Sequence, residues 1–333
     1  MNPNHVSTMG DIILHDHHHD GIDRRGFLQC MAWAGTGVLW SVAGGVLSSR
    51  VLAQATGPAL PGASAAPAST LEFVQISDSH IGFKKPANQD VVGTLRETIQ
   101  RINALPVRPE FILHTGDLTH LSEAGEFDTL EQMLRDCRTK QVFYVPGEHD
   151  ILSDNGAQYR ERFGKGTRGA GWHSFDQKGV HFVGLVNVAG LAEGGLGILG
   201  AEQLDWLARD LAGLSAETPI VVYAHIPLWS VYPKWGWGTS DAEKALALLR
   251  RFGSVTVLNG HIHQAMQKVE GNITFHTARS TAFPQPEPGK AEKPGPMLVE
   301  PGRLRSVLGL TRVSYVETHT PLAIVDSTLA DPT

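Results

Sequence analysis

Residues 71–80 read LEFVQISDSH: six positions rich in apolar, branched and aromatic side chains, then an abrupt polar end that carries an acid and an imidazole. The apolar run has the length and composition of a buried strand. In an extended chain positions i and i+2 point to one side, so Asp78 and His80 are expected to face a common point just past the strand end. The same event recurs downstream. Residues 111–114 run into Thr115-Gly116-Asp117, residues 141–145 into Pro146-Gly147-Glu148-His149-Asp150, residues 219–224 into His225, and residues 255–258 into Gly260-His261-Ile262-His263.

Between these strands lie helical periods. Val91, Leu95, Ile99 and Ile102 make one apolar face, Phe127, Leu130 and Leu134 a second, and Leu204, Leu207 and Leu211 a third. A fourth helix is expected to start at Ser240-Asp241-Ala242-Glu243, a capping-box pattern, and to continue through Leu246 and Leu249. Further strand patterns cover 180–186 and 273–276, with closing strands at 311–316 and 322–326. His173, His181 and His276 fall on strand patterns and read as structural. Strands alternating with helices predict an α/β protein whose helices cover its sheets.

The chain has 333 residues, 41% hydrophobic and 19% charged, enough for one large domain with its own core. Its net charge of −6 excludes the basic footprint of a stable nucleic-acid binder. At the N-terminus, Arg24-Arg25 followed by Phe27-Leu28, a weakly apolar stretch over 31–52 and the small-x-small Ala53-Gln54-Ala55 resemble a twin-arginine export signal over residues 1–55. A membrane anchor is the competing reading, disfavoured by Gly35, Gly37, Gly44 and Gly45 within the stretch. Residues 56–70, uncharged and rich in Pro, Ala, Gly and Ser, read as a linker, and the folded domain is expected over 71–333. Export by the twin-arginine translocase implies a periplasmic protein. Once the signal is removed only Cys137 remains, so no intramolecular disulfide can form; it continues the Phe127, Leu130, Leu134 face and reads as a core residue. The His15, His17, His18, His19 cluster lies in the segment that would be lost.

A lone acid or imidazole after a strand is ordinarily a turn cap or a satisfied core group. Five such ends are another matter, because ligands in α/β folds collect at the carboxyl ends of strands. Asp78, His80, Asp117, Glu148, His225, His261 and His263 make a set of seven, more than one ion and a water can use. Two ions need a shared carboxylate, and Asp117, next to Gly116 where backbone can approach closely, is the natural bridge.

In this order D-x-H (78–80), G-D (116–117), G-E-H-D (147–150), A-H (224–225) and G-H-x-H (260–263) resemble the signature of the calcineurin-like metallophosphoesterases, and the likeness runs from residue 71 to about 276. It implies a four-layer α-β-β-α fold, two mixed β-sheets packed as a sandwich and flanked by helices. It further implies that Asp78, His80 and His263 hold one metal ion, that Asp117 bridges, and that residue 148, His225 and His261 hold the second. His149 would then assist the leaving oxygen, with Asp150 orienting it, while a metal-bridging hydroxide attacks phosphorus in line.

Where the family has Asn, this chain has Glu148. A third anionic ligand favours iron or manganese over zinc, though zinc remains usable; the alternative is that Glu148 turns away and water takes its place. His80 and His120 stand where purple acid phosphatases carry Gly and Tyr, which excludes that subgroup, and the D-x-H form tilts the expected substrate toward phosphodiesters of small-molecule, lipid or nucleotide type. A phosphomonoesterase of the same fold and a non-catalytic periplasmic metal-binding protein are the other readings. His114 and His120 are candidate partners of Asp117. Trp229, Tyr232, Trp235 and Trp237 after His225 form either an aromatic wall for substrate, with Lys234 as a phosphate contact, or a loop packed on its own rings. Residues 283–302, rich in Pro and Gly, are expected to be a long surface loop.

Overall fold

The structure, a computed structural model, describes residues 38–43, 46–51, 70–317 and 319–332. The chain divides into two units, residues 1–65 and 66–333. In the first, Val38–Ala43 pairs antiparallel with Val46–Val51; the rest of the stretch expected to be an export signal, and of the expected linker all but Thr70, lie outside the described residues. No helix among the described residues is long and apolar enough to cross a membrane.

The second unit holds two sheets. The five-stranded sheet is built from β1 (Thr70–Ile76), β2 (Phe111–His114), β3 (Val142–Tyr144), β10 (Gly309–Val316) and β11 (His319–Thr328), in the order β11-β10-β1-β2-β3. The six-stranded sheet has β4 (His173–Gln177), β5 (Val180–Gly184), β6 (Ile220–Ala224), β7 (Val255–Asn259), β8 (Met266–Glu270) and β9 (Ile273–Thr277), in the order β8-β9-β7-β6-β5-β4. Both are mixed: β1, β2 and β3 run parallel, as do β5, β6, β7 and β9, and the remaining pairings are antiparallel.

Alternation along the strands explains the layering. Leu71 and Phe73 of β1 meet Phe182, Val221 and Tyr223 of the other sheet, whereas Val74 and Ile76 face the helices α1 (Val91–Ala104) and α2 (Ala124–Leu134). On the opposite side Val222 and Ala224 of β6 face α4 (Ala201–Leu211) and α5 (Ala242–Leu249). The result is helices, sheet, sheet and helices, the expected four layers. Phe73 stacks on Phe111 at 5.0 Å between ring centroids and meets Phe182 edge-on at 5.4 Å, so Phe73→Ala would cost about 3–5 kcal/mol.

The differences from expectation have local causes. β8 was not expected: it is an edge strand, largely exposed and without apolar alternation. The short helix α3 (Ala157–Phe163) was likewise unmarked, and buries Tyr159. At α5 the capping box does not form, because the Asp241 carboxylate accepts the Leu199 and Gly200 N–H groups, both at 2.9 Å, and ties α5 to the start of α4. Helix α2 ends at Leu134; Cys137 lies in the turn beyond it, fully buried in the same cluster, and burial raises its thiol pKa. Between β9 and the short α6 (Leu304–Val307) there is no helix or strand, yet Ala282 and Phe283 are core residues, so this segment starts inside the protein rather than on its surface.

Candidate metal centre

The carboxyl ends of β1, β2 and β3 in one sheet and of β6 and β7 in the other open on the same place, and all seven candidate ligands lie there. One buried polar side chain ties the two sheets together at this point, and a second ties neighbouring strands of the six-stranded sheet. The Gln75 amide donates to Thr115 Oγ1 (3.0 Å) and to the Asn259 carbonyl (3.1 Å) across the sandwich, and Asn259 Nδ2 donates to the Ala224 carbonyl (2.9 Å). Neither was identified from the sequence, where Gln75 is only a polar interruption of a strand.

The turns carry the side chains in by a route that strand alternation does not describe. Asp78 (φ 54°), His80 (φ 41°), Asp117 (φ 50°), His261 (φ 70°) and His263 (φ 56°) all have left-handed backbones. Such conformations are costly for non-glycine residues and persist only where the surroundings enforce them. Enforcement comes from interlocked turns: Asp78 N–H donates to the Gly116 carbonyl (3.0 Å) and His80 N–H to the Asp117 carbonyl (2.9 Å), while Gly260 N–H donates to the His225 carbonyl (3.0 Å). Asp78 and His80 therefore converge through a reversed turn beyond the strand, and not as i, i+2 neighbours on it. Close approach accounts for two glycines: a Cβ at Gly116 would lie 2.4 Å from His225 Nδ1, and one at Gly147 would lie 2.1 Å from Asp117 Oδ1.

Asp78, His80 and His263 form one candidate ligand group and Glu148, His225 and His261 another; Asp117 groups with Asp78 and His225 and also with Glu148 and His149. Asp78 Oδ1 is 3.2 Å from His263 Nε2, and His80 Nε2 lies 3.4 Å from Asp117 Oδ2 and 3.3 Å from His263 Nε2. Asp117 Oδ2 is also 3.4 Å from His225 Nε2, which puts one carboxylate oxygen between the two groups. Glu148 is turned inward, Oε2 3.0 Å from His225 Nε2 and Oε1 3.0 Å from His261 Nδ1.

This donor set fits a pair of cations. His225 Nδ1 donates to the Thr115 carbonyl (2.7 Å) and His263 Nδ1 to the Phe283 carbonyl (2.5 Å), so each ring presents the Nε2 lone pair to the centre. Glu148 Oε2 is buried and accepts no hydrogen bond. Three carboxylates and four imidazoles thus crowd together with acceptor atoms facing one another, an arrangement that costs energy unless positive charge lies among them. Protonation of the imidazoles answers the same need. Burial disfavours charge on His225, but Asp117 and Glu148 outweigh it and hold its pKa well above the ordinary value. Burial likewise opposes the Glu148 carboxylate, yet His261 and His225 hold its pKa well below normal; Asp78, also opposed by burial, is brought to about 2 by His263. Bound ions would take over this role through the same donor atoms.

His149 stands beside the ligands. Its N–H donates to Asp117 Oδ1 (3.0 Å), and its ring Nδ1 donates to the His120 carbonyl (2.7 Å), which leaves Nε2 on the opposite ring edge. Against the effect of burial, Asp117 and Glu148 raise its pKa, favouring the protonated ring. The expected pairing of Asp150 with this imidazole is not what the structure shows: the Asp150 carboxylate accepts the N–H groups of Gly147 (2.9 Å), Leu118 (3.1 Å) and Thr119 (2.8 Å) and the Thr119 hydroxyl (2.8 Å). Asp150 clamps the Asp117 loop to the Glu148 loop, and a carbonyl orients His149. Burial and the Asp117 charge raise the Asp150 pKa to about 7 despite those hydrogen bonds.

The other expected neighbours are redistributed. His114 Nε2 shares a 2.8 Å hydrogen bond with Ser79 Oγ, and the His120 ring stacks on His149 (4.9 Å, 16°), so neither ring hydrogen-bonds Asp117. Burial lowers their pKa values to about 3 and about 4. The aromatic loop packs on itself, Trp235 edge-on between Tyr232 and Trp237, with Trp237 fully buried and Lys234 exposed. Beside the ligands lies a cavity of about 230 Å³ lined by His80, Asp117, His149 and His263 together with Lys85, Phe283 and Pro296, which sequence reasoning did not single out.

A sandwich of mixed sheets that gathers two ligand groups around a shared aspartate defines a binuclear hydrolytic centre. The calcineurin-like phosphoesterase family model matches residues 71–265, and the chain belongs to that family of dimetal phosphoesterases. It is 24% identical over 226 residues to a 3′,5′-cyclic-nucleotide phosphodiesterase of Nostoc sp., covering 64% of this chain and 79% of that protein. It is also 24% identical over 219 residues to a "probable glycerophosphodiester phosphodiesterase" of Arcobacter nitrofigilis, covering 62% and 77%. Its fold matches a dimetal phosphatase from Danio rerio with a TM-score of 0.55 at 17% identity, over 78% of this chain and 98% of that one.

Proposed function

We propose that this phosphoesterase hydrolyses phosphodiesters, using two hard ions of the iron or manganese type held by Asp78, His80, His263, Asp117, Glu148, His225 and His261. The observation that carries the reading is the inward Glu148 carboxylate, in contact distance of His225 and His261. With Asp78 and Asp117 it makes three anionic ligands, which leave two divalent ions with one net positive charge. The hydroxide formed from coordinated water would take up that remaining charge, so the centre has little left to offer a dianionic monoester and suits the singly charged phosphodiester better. The same three carboxylates favour hard ions over zinc. The names of the Nostoc and Arcobacter relatives agree with a diester substrate.

Ions bound in this site supply Lewis acidity to the phosphoryl oxygens and lower the pKa of coordinated water. The chain supplies the rest. Asp117 sets the spacing of the two ligand groups, and its second oxygen positions the His149 backbone. His149, its Nδ1–H fixed on the His120 carbonyl, delivers a proton from Nε2 to the leaving oxygen of an in-line displacement. Arg24-Arg25 and the stretch that follows support export by the twin-arginine translocase and action in the periplasm.

The test supplies apo protein with iron, manganese or zinc and assays bis(p-nitrophenyl) phosphate and p-nitrophenyl phosphate in parallel. The expected result is faster diester cleavage, by about tenfold or more, and higher rates with manganese or iron. A preference for the monoester would overturn the reading.

A further inference from the structure

Lys85 lines the cavity beside the ligand groups, on a turn that is fastened rather than loose. Its carbonyl accepts the Asn88 N–H (3.1 Å), and the buried Asn88 amide donates to the Ala282 carbonyl (2.7 Å) and to Thr94 Oγ1 (3.1 Å). The Phe83 ring lies 4.2 Å from the Phe283 ring. The lysine is therefore anchored to the segment that builds the facing wall. That wall is itself fixed: Gln285 Nε2 donates to the carbonyl of His261 (2.8 Å), and Gln285 Oε1 accepts the Gly295 N–H (3.0 Å), which sets Gly295 and Pro296 over the opening.

The charges around this opening are one-sided. Asp117 is the one carboxylate in the cavity lining and belongs to the ligand set; the remaining lining is neutral apart from Lys85 and imidazoles. Among the described residues no carboxylate is within ion-pair distance of Lys85. The scissile phosphoryl group is served by the ligand centre and His149, so an unpaired ammonium farther out, on a preorganised turn, is available to what the phosphoryl group carries.

We propose that Lys85 is a second anion-binding position, and that the preferred substrates are phosphodiesters in which one ester substituent itself bears an anionic group. The inference rests on the diester reading above. It makes Lys85 a specificity residue: it discriminates among diesters by the charge of the substituent, through an interaction that salt screens.

The matched probes are p-nitrophenyl 3-carboxypropyl phosphate and its neutral carboxamide isostere, assayed with the manganese-loaded enzyme at low and high ionic strength. The quantity read is the ratio of their kcat/KM values. The native protein should favour the carboxylate by about three- to fivefold at low salt, as for one partly exposed ion pair. Lys85→Gln should bring the ratio near unity, Lys85→Glu should invert it, and high salt should compress it. A ratio that neither substitution moves would overturn the inference alone, with the diester reading intact. Failure to cleave either ester while metal is bound would overturn the diester reading and this inference with it.

Discussion

Glu148 Oε2 lies 3.0 Å from His225 Nε2, and the other oxygen of the same carboxylate lies 3.0 Å from His261 Nδ1. The residue where this chain departs from the G-N-H-D pattern is thus turned into the centre, and replacing it should alter the ions held there. Glu148→Asn removes one negative charge while keeping a carbonyl donor. The expected outcome is at least about tenfold weaker binding of one manganese equivalent, with zinc less affected, as a harder donor is exchanged for a softer one. Metal titration of the purified variant followed by elemental analysis checks this; unchanged stoichiometry and preference would mean that Glu148 is not a ligand.

His149 and Asp117 should separate chemistry from metal retention. His149 touches Asp117 through its backbone N–H (3.0 Å), a bond that survives truncation of the ring. His149→Ala is expected to keep both ions and to lose turnover by about 10²–10⁴-fold, the usual worth of a positioned proton donor. Asp117→Ala removes the oxygen shared by the two ligand groups and should lose metal outright. Elemental analysis and diester turnover measured on the same preparations decide; a fully active His149→Ala would remove the imidazole from the reaction.

The grouping of the seven candidate ligands was legible because β1, β2, β6 and β7 are mostly apolar runs that stop at a polar cluster, and their burial makes that boundary sharp. Phe111–His114 lies where the apolar run alone puts it. What escaped was whatever depends on geometry beyond the strand. The left-handed backbones of Asp78 and His263 leave no trace in residue type, and Gln75 acquires its role only when two sheets meet. Asp150 was misassigned for a related reason: an acid next to an imidazole in sequence suggests a pair, but in the 3₁₀ turn Glu148–Asp150 successive side chains diverge, and the nearest donors are the backbone N–H groups of Gly147, Leu118 and Thr119.

Remote from the centre, His181 and Asp210 predict a pH dependence of stability. His181 Nε2 is 3.0 Å from Asp210 Oδ2 and its Nδ1 is 2.8 Å from Asp176 Oδ1. Burial opposes the charged ring, but the Asp210 and Asp176 hydrogen bonds raise its pKa; burial also opposes Asp210, which the His181 hydrogen bond brings below its ordinary value. The raised histidine adds stability that is complete below its unfolded pKa and disappears as pH rises through the folded one. The lowered aspartate adds stability above its unfolded pKa that disappears as pH falls through the folded one. The pair should therefore matter most between about pH 4.5 and 6. Asp210→Asn is expected to cost about 1 kcal/mol at pH 5.5 and clearly less at pH 9, read from denaturant midpoints of metal-loaded protein. An equal loss at both values would show that charge on His181 is not involved.

Gln285 offers the sharpest separation of binding from chemistry, because it touches a ligand residue only through its backbone. Gln285→Ala deletes both the donor to the His261 carbonyl (2.8 Å) and the acceptor of the Gly295 N–H (3.0 Å), so the wall formed by Gly295 and Pro296 loses its tie while the His261 ring keeps its neighbours. Two part-buried backbone groups left without partners cost about 1–3 kcal/mol each, and that cost is relieved if the wall moves outward. A wall that has moved holds substrate less well in both the ground state and the transition state. KM on bis(p-nitrophenyl) phosphate should accordingly rise about five- to tenfold with kcat within about twofold of its starting value, and both ions should be retained. Gln285→Glu keeps an acceptor for Gly295 but sets a carboxylate oxygen against the His261 carbonyl, so it should raise KM at least as far as the alanine does. A drop in kcat at constant KM would instead place the effect of Gln285 on the geometry of His261, and the wall would have no part in binding.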